Sequence, residues 1–106
     1  MFIKLFIEGI SQSDAENELW KIMQERNYNL QSLKIEQITN YWKLESVYVC
    51  EVTLMLKPHV NEEEFLYKLS NKWLFFEDEQ TEALCSDTME GCTIYCEKIK
   101  MINAFY

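Results

Sequence analysis

Twice in this chain a run that alternates apolar and other residues breaks at a turn, and a serine or asparagine then stands three positions ahead of a glutamate. In the first, Ile3, Leu5 and Ile7 share one face, and Phe2, Lys4, Phe6 and Glu8 share the other. Gly9 and Ser11 interrupt it, and Ser13 with Glu16 gives the reciprocal capping pattern that opens a helix. In the second, residues 44 to 57 place Tyr48, Cys50, Val52, Leu54 and Leu56 on one face, and Pro58 ends the run because it has no N–H for a ladder. Asn61 with Glu64 repeats the cap. A strand followed by a helix, twice in 106 residues, restricts the chain to a sheet with helices packed upon it.

The first helix is expected over 14 to 27. Ala15, Leu19, Ile22, Met23 and Arg26 follow its spacing, Trp20 widens the stripe, and Asn27 and Asn29 end it. Residues 32 to 39 alternate as a second strand, and Thr39 to Lys43 reads as a hairpin connection displaying Tyr41 and Trp42. The second helix is expected from 62 to about 75, with Phe65, Leu66, Leu69 and Trp73 on one side. Its first turn, Glu62, Glu63 and Glu64, suits the positive end of the helix dipole.

A polar connection at 77 to 82, a short strand at Ala83 to Cys85, a turn at Asp87 to Gly91 and a long strand from Cys92 to Phe105 complete the reading. Neither face of the last run stays apolar, so a bend or bulge is expected near Lys98. The order β-α-β-β-α-β-β predicts one α+β domain spanning 1–106. The expected architecture is a ferredoxin-like βαββαβ sandwich with an extra C-terminal strand, two helices lying on one face of a mostly antiparallel sheet.

Charge narrows the function. Ten basic against eighteen acidic residues give a net charge of −8. From Trp73 to Glu97 there are seven carboxylates and no lysine or arginine. Nucleic acids and anionic membranes are bound chiefly by neutralising phosphates, so both are unsuitable partners. The opening MFIKLFIEGI is too short to span a bilayer and alternates like a strand, which points to a cytoplasmic protein whose cysteines at 50, 85, 92 and 96 stay reduced.

Catalytic patterns are weak. The one histidine, His59, follows Pro58 in a loop and has no partner fixed by spacing. In an extended strand Cys92 and Cys96 would stand ~13 Å apart, too far to share a zinc ion. Cys85 and Cys92 could face each other across a terminal hairpin. Two glycines, Gly9 and Gly91, cannot build a phosphate-cradling loop. Glu77, Asp78 and Glu79 read as hydrated loop carboxylates, not a glycosidase pair in a cleft. The expectation is a non-enzyme without metal or cofactor.

What remains is a surface. Glu77, Asp78, Glu79, Glu82, Asp87 and Glu90 form a candidate face for a cationic protein, with Tyr41, Trp42 and Phe76 as aromatic anchors. A strongly acidic α+β chain of this size, with charges around aromatics and no catalytic set, resembles the small immunity proteins of bacterial polymorphic toxin and contact-dependent growth inhibition systems. The resemblance implies an inhibitor that binds and neutralises a basic toxin domain, usually a nuclease, made by the same cell. The competing reading is a homodimeric housekeeping or regulatory domain joined through an open sheet face, suggested by Phe2, Phe6 and the mixed faces of residues 92 to 105.

Overall fold

The computed structural model describes residues 1–25 and 30–106. Among them are β1 (Phe2–Glu8), α1 (Gln12–Glu25), β2 (Leu30–Asn40), β3 (Val47–Leu56), α2 (Glu62–Leu69), β4 (Leu74–Glu77), β5 (Thr81–Ser86) and β6 (Ile99–Phe105). The strands form one antiparallel sheet in the order β2-β3-β1-β6-β5-β4.

The first half keeps the expected split arrangement. β1 and β2 both run antiparallel to β3, which lies between them, so α1 carries the chain from one parallel strand to the other. The second half departs from the ferredoxin-like order. After α2 the chain does not return to β1; it goes to the far edge, makes the β4–β5 hairpin and comes back as β6 beside β1. The strand with the longer run and more buried side chains takes the interior place. Ile99, Ile102 and Ala104 of β6 are buried, whereas Leu74 and Phe76 of β4 keep much of their surface.

Both helices feed one core. Ile3, Leu5 and Ile7 of β1 stand beside Val52 and Cys50 of β3 and beside Ala104, Ile102 and Ile99 of β6. Ala15, Leu19, Ile22 and Met23 of α1, with Phe65, Leu66 and Leu69 of α2, join the same cluster. Burying a leucine or phenylalanine side chain stabilises by about 1.5–3 kcal/mol, so this face holds the sheet and helices together. Among the described residues the other face carries no helix.

Element boundaries moved where local bonding overrode the pattern. α1 is capped by Ser11, not Ser13: its Oγ accepts from the Asp14 N–H at 3.1 Å, and Asp14 Oδ2 accepts from the Ile10 N–H at 2.9 Å. Arg26, Asn27 and Asn29, expected at the end of this helix, lie outside the described residues. At α2 the expected cap is present, Asn61 Oδ1 accepting from the Glu64 N–H at 2.8 Å. That helix stops at Leu69, not near 75, because Ser70 turns to an extended backbone (φ −153°, ψ 151°). The following Leu74 to Glu77, expected to be partly helix, alternates and becomes β4.

The long C-terminal strand is shorter than expected. Residues 87 to 98 connect β5 to β6 and run instead along the end of α2 and the residues after it, through a bond from the Tyr95 N–H to the Leu69 carbonyl at 2.9 Å, a bridge between Ser70 and Ile94, and a bond from the Asn71 N–H to the Thr93 carbonyl at 3.2 Å. Cys92 and Cys96 therefore do not lie in one strand, and the 13 Å separation no longer applies. The register of β1 against β6 shifts between Phe6 and Ile7, so Ile99 and Met101 take neighbouring positions and Lys100 is the extra residue. This bulge resolves the mixed alternation: it returns Ile99 to the core and frees Lys100 from the buried face.

Candidate functional site

The helix-free face is where exposed apolar side chains collect. Register places Thr53, Phe2, Phe105, Glu82 and Phe76 in one row across β3, β1, β6, β5 and β4. The Phe2 and Phe105 rings are 6.2 Å apart, and Phe76 is 52% exposed at the edge. A neighbouring row runs Lys4, Asn103, Leu84 and Leu74, with Asn103 Nδ2 donating to Glu82 Oε2 at 2.8 Å. A third places Val49, Phe6, Met101 and Ser86 side by side. An apolar surface crossed by a few polar groups is the composition of a protein interface more than of a solvated sheet.

Each end of this face has its own chemistry. At the Phe76 end, Glu77 closes β4 and the turn at Asp78 and Glu79 leads into β5. Burial raises the Tyr106 hydroxyl pKa, and the carboxylates of Glu63, Glu62 and Glu77 raise it further, in that order. Tyr106 itself packs against the core on the helix-covered side, so these carboxylates act from behind the row and not within it. In sequence, Glu62 and Glu63 read only as first-turn carboxylates favoured by the helix dipole.

At the opposite end, residues 41 to 46 fold back over the sheet. Tyr41 meets Phe6 edge-on, and Trp42, 83% exposed, has Lys43 Nζ 5.0 Å from its ring centre. Ser46 takes a positive φ of 64°, and its carbonyl accepts from the Gly9 N–H at 2.8 Å. The loop is therefore tied to the β1 end by main chain as well as by rings.

The expected site residues are distributed between these ends. Phe76 and Glu82 lie in the first row, with Glu77, Asp78 and Glu79 just beyond it. Tyr41, Trp42 and Asp87 gather at the other end, where Asp87 Oδ2 stands 3.9 Å from Lys100 Nζ. Glu90 joins neither group. It sits beside the end of α2, where Lys72 Nζ donates to its main-chain oxygen at 2.6 Å. One continuous patch from Glu77 to Glu90, as the sequence suggests, is not what the fold builds.

Leu84, Leu74 and Leu44 belong to the surface but escaped the sequence reading, and Met101 enters it only within the mixed faces of residues 92 to 105. For Met101 the signal was the broken alternation around Lys98 to Lys100; for Leu74 it was the alternation of Leu74 to Glu77, hidden by the helical pattern before it.

The thiols give little chemistry. All four are free. Burial pushes Cys50 up to about 12, with Glu16 adding to it, and burial likewise pushes Cys85 up to about 12. Ser70 Oγ and Cys92 Sγ are 3.3 Å apart. Among the described residues no three histidine, cysteine, aspartate or glutamate side chains converge as a metal site, and no helix is long and apolar enough to cross a membrane. Comparison of the chain with known protein families, curated proteins and solved structures gives no match.

Proposed function

We propose that this chain is a protein-binding inhibitor that covers a cationic protein with its helix-free sheet face, acting as an immunity protein against a basic toxin domain. The observation that carries the reading is the row Phe2, Phe105, Glu82 and Phe76 on the helix-free face of a chain with a net charge of −8. Such a surface fits a partner that offers apolar anchors beside lysines and arginines. Charge would steer encounter, raising association rates about 10–10³-fold, and the buried aromatics would slow release. On this reading the protein works in the cytoplasm, without catalysis, by occupying the partner's substrate surface.

A second copy of the chain is the alternative occupant. The apolar rows would suit it, but each copy carries −8 and the two would repel.

The test places benzoylphenylalanine at Phe76, captures the cross-linked species from the source cells at low salt, and repeats the capture at about 0.5 M salt, where exposed charges are largely screened. The expected product is one basic protein, captured more slowly but still retained at high salt and lost in Phe105→Asp, whose activity is blocked by stoichiometric amounts of this chain. Replacing Glu77, Asp78 and Glu79 with lysine should slow its association and flatten the salt dependence. Cross-links joining two copies of the chain, or capture indifferent to Phe105→Asp, would overturn the proposal.

A further inference from the structure

Beneath the 41–46 loop a hollow of about 160 Å³ opens on the helix-free face, bounded by Phe6, Tyr41, Leu44, Met101, Asp87 and Lys100. An apolar cavity of about 150 Å³ accepts a benzene ring, so this hollow has room for one side chain. Its wall is formed in advance: the Tyr41 ring rests on Phe6, the Tyr41 N–H donates to the Val47 carbonyl at 2.9 Å, and the Ser46 carbonyl is held by Gly9. Little ordering remains to be done on binding, which favours affinity.

Charge at the mouth selects the occupant. Lys100 Nζ lies 3.7 Å from Glu8 Oε2 and 3.9 Å from Asp87 Oδ2, and it donates to the Glu97 carbonyl at 3.0 Å. Two carboxylates share one ammonium, which leaves one negative charge beside an apolar hollow. The bulge in β6 creates this set by bringing Lys100 to Glu8 and Asp87.

We propose that the hollow is a subsite for an arginine side chain presented by the protein partner, and this rests on the binding reading above. The arginine stem covers Leu44 and Met101, and its guanidinium completes the neutralisation of Glu8 and Asp87 within reach of the Tyr41 ring. Arginine suits the place better than lysine because its planar, weakly hydrated cation loses less on leaving water and can serve both carboxylates at once. Long cationic side chains commonly bury their stems while keeping the head at a polar rim.

The experiment follows the methyl groups of Met101 and Leu44 by NMR while Nα-acetyl-L-arginine methylamide is added to the intact protein, with the norleucine and lysine analogues as comparisons. The arginine compound should shift both methyls saturably, with a dissociation constant on the order of millimolar, as expected for a single side chain. Glu8→Gln and Asp87→Asn, both exposed and close in shape, should each weaken it about two- to five-fold. Equal affinity for the norleucine analogue, no saturable shift, or indifference to both substitutions would overturn the subsite. A partner cross-linked at Phe76 with no arginine response would remove the subsite and leave the binding reading standing. Saturable arginine binding with no cross-linked basic protein would support the subsite and remove the inhibitor reading.

Discussion

The ring of Phe6 in β1 and the ring of Tyr41 in the β2–β3 loop meet edge to face, with centroids 4.9 Å apart and planes at 82°. The contact joins a strand in the middle of the sheet to a loop that otherwise belongs to its edge, and it shapes the hollow beside Met101. Edge-to-face pairs are worth about 0.5–1.5 kcal/mol beyond the area they bury. A double-mutant cycle with Phe6→Leu and Tyr41→Leu, followed by urea denaturation, should give a coupling in that range. Additivity within about 0.3 kcal/mol would show that the loop is held by its main chain alone.

Ser46 occupies left-handed backbone with φ of 64°. A side chain in that region costs roughly 1–2 kcal/mol that glycine avoids, less the extra entropy glycine carries when unfolded. Ser46→Gly should therefore stabilise the fold by about 0.5–1 kcal/mol, and Ser46→Val should destabilise it by more. Thermal denaturation of the pair decides the matter; a loss of stability in Ser46→Gly would mean that the hydroxyl contributes more than the backbone strain costs.

Cys50 and Cys85 link stability to alkaline pH. Each is raised from 9.0 to about 12, by burial first. Above pH 9 the unfolded chain loses thiol protons that the folded chain keeps. The unfolded state then binds fewer protons, so stability is full below 9 and falls as pH rises toward 12. Denaturant titrations between pH 8 and 11 should show the decline, with a shallower slope in Cys50→Ala by at most ~1.4 kcal/mol per pH unit. An unchanged slope would mean that Cys50 titrates alike in both states. Thiol labelling at pH 8 should reach half-buried Cys92 and Cys96 first.

Trp73 is buried after the last turn of α2, and its Nε1–H donates to the Leu66 carbonyl at 3.0 Å. The same oxygen also accepts from the Ser70 N–H at 3.2 Å. Trp73→Phe removes one of two donors without stranding the acceptor, so the hydrogen bond itself should account for about 1 kcal/mol. Trp73→Ala also empties core volume and should cost ~3–5 kcal/mol. Similar losses for both variants in urea would assign the indole's contribution to its N–H and not to its bulk.

What the sequence made legible follows from the range over which each signal acts. The alternation of β1, the run of β3 and the Asn61–Glu64 cap are local, and each appears where the residues indicate. Ser11 displaced Ser13 because both are competent caps, and only the bond from the Asp14 N–H chooses between them. The interior position of β6 depends on strands remote in sequence competing for a place beside β1, which no local pattern records. The candidate surface was half legible: Tyr41, Trp42, Phe76 and Glu82 were marked by residue type. Met101 and Lys100 became visible in their places only through the bulge, and the shared influence of Glu63, Glu62 and Glu77 on Tyr106 only through the packing of α2 beside β4.

The place of β6 sets the order in which the molecule can be assembled. β2, β3 and β1 can pair among themselves, and β4 can pair with β5, but residues 99–105 are the hydrogen-bonded link between these two blocks. Until they insert, the inner edges of β1 and β5 offer unpaired main-chain groups to any extended peptide nearby. Pairing Phe2 with Phe105 also closes a loop across nearly the whole described chain, a topology that folds slowly for its size. The hazard in this molecule is therefore a kinetic one, during synthesis and refolding, and a chaperone or a short β-strand mimic would find its opening at the seam where β6 has yet to arrive.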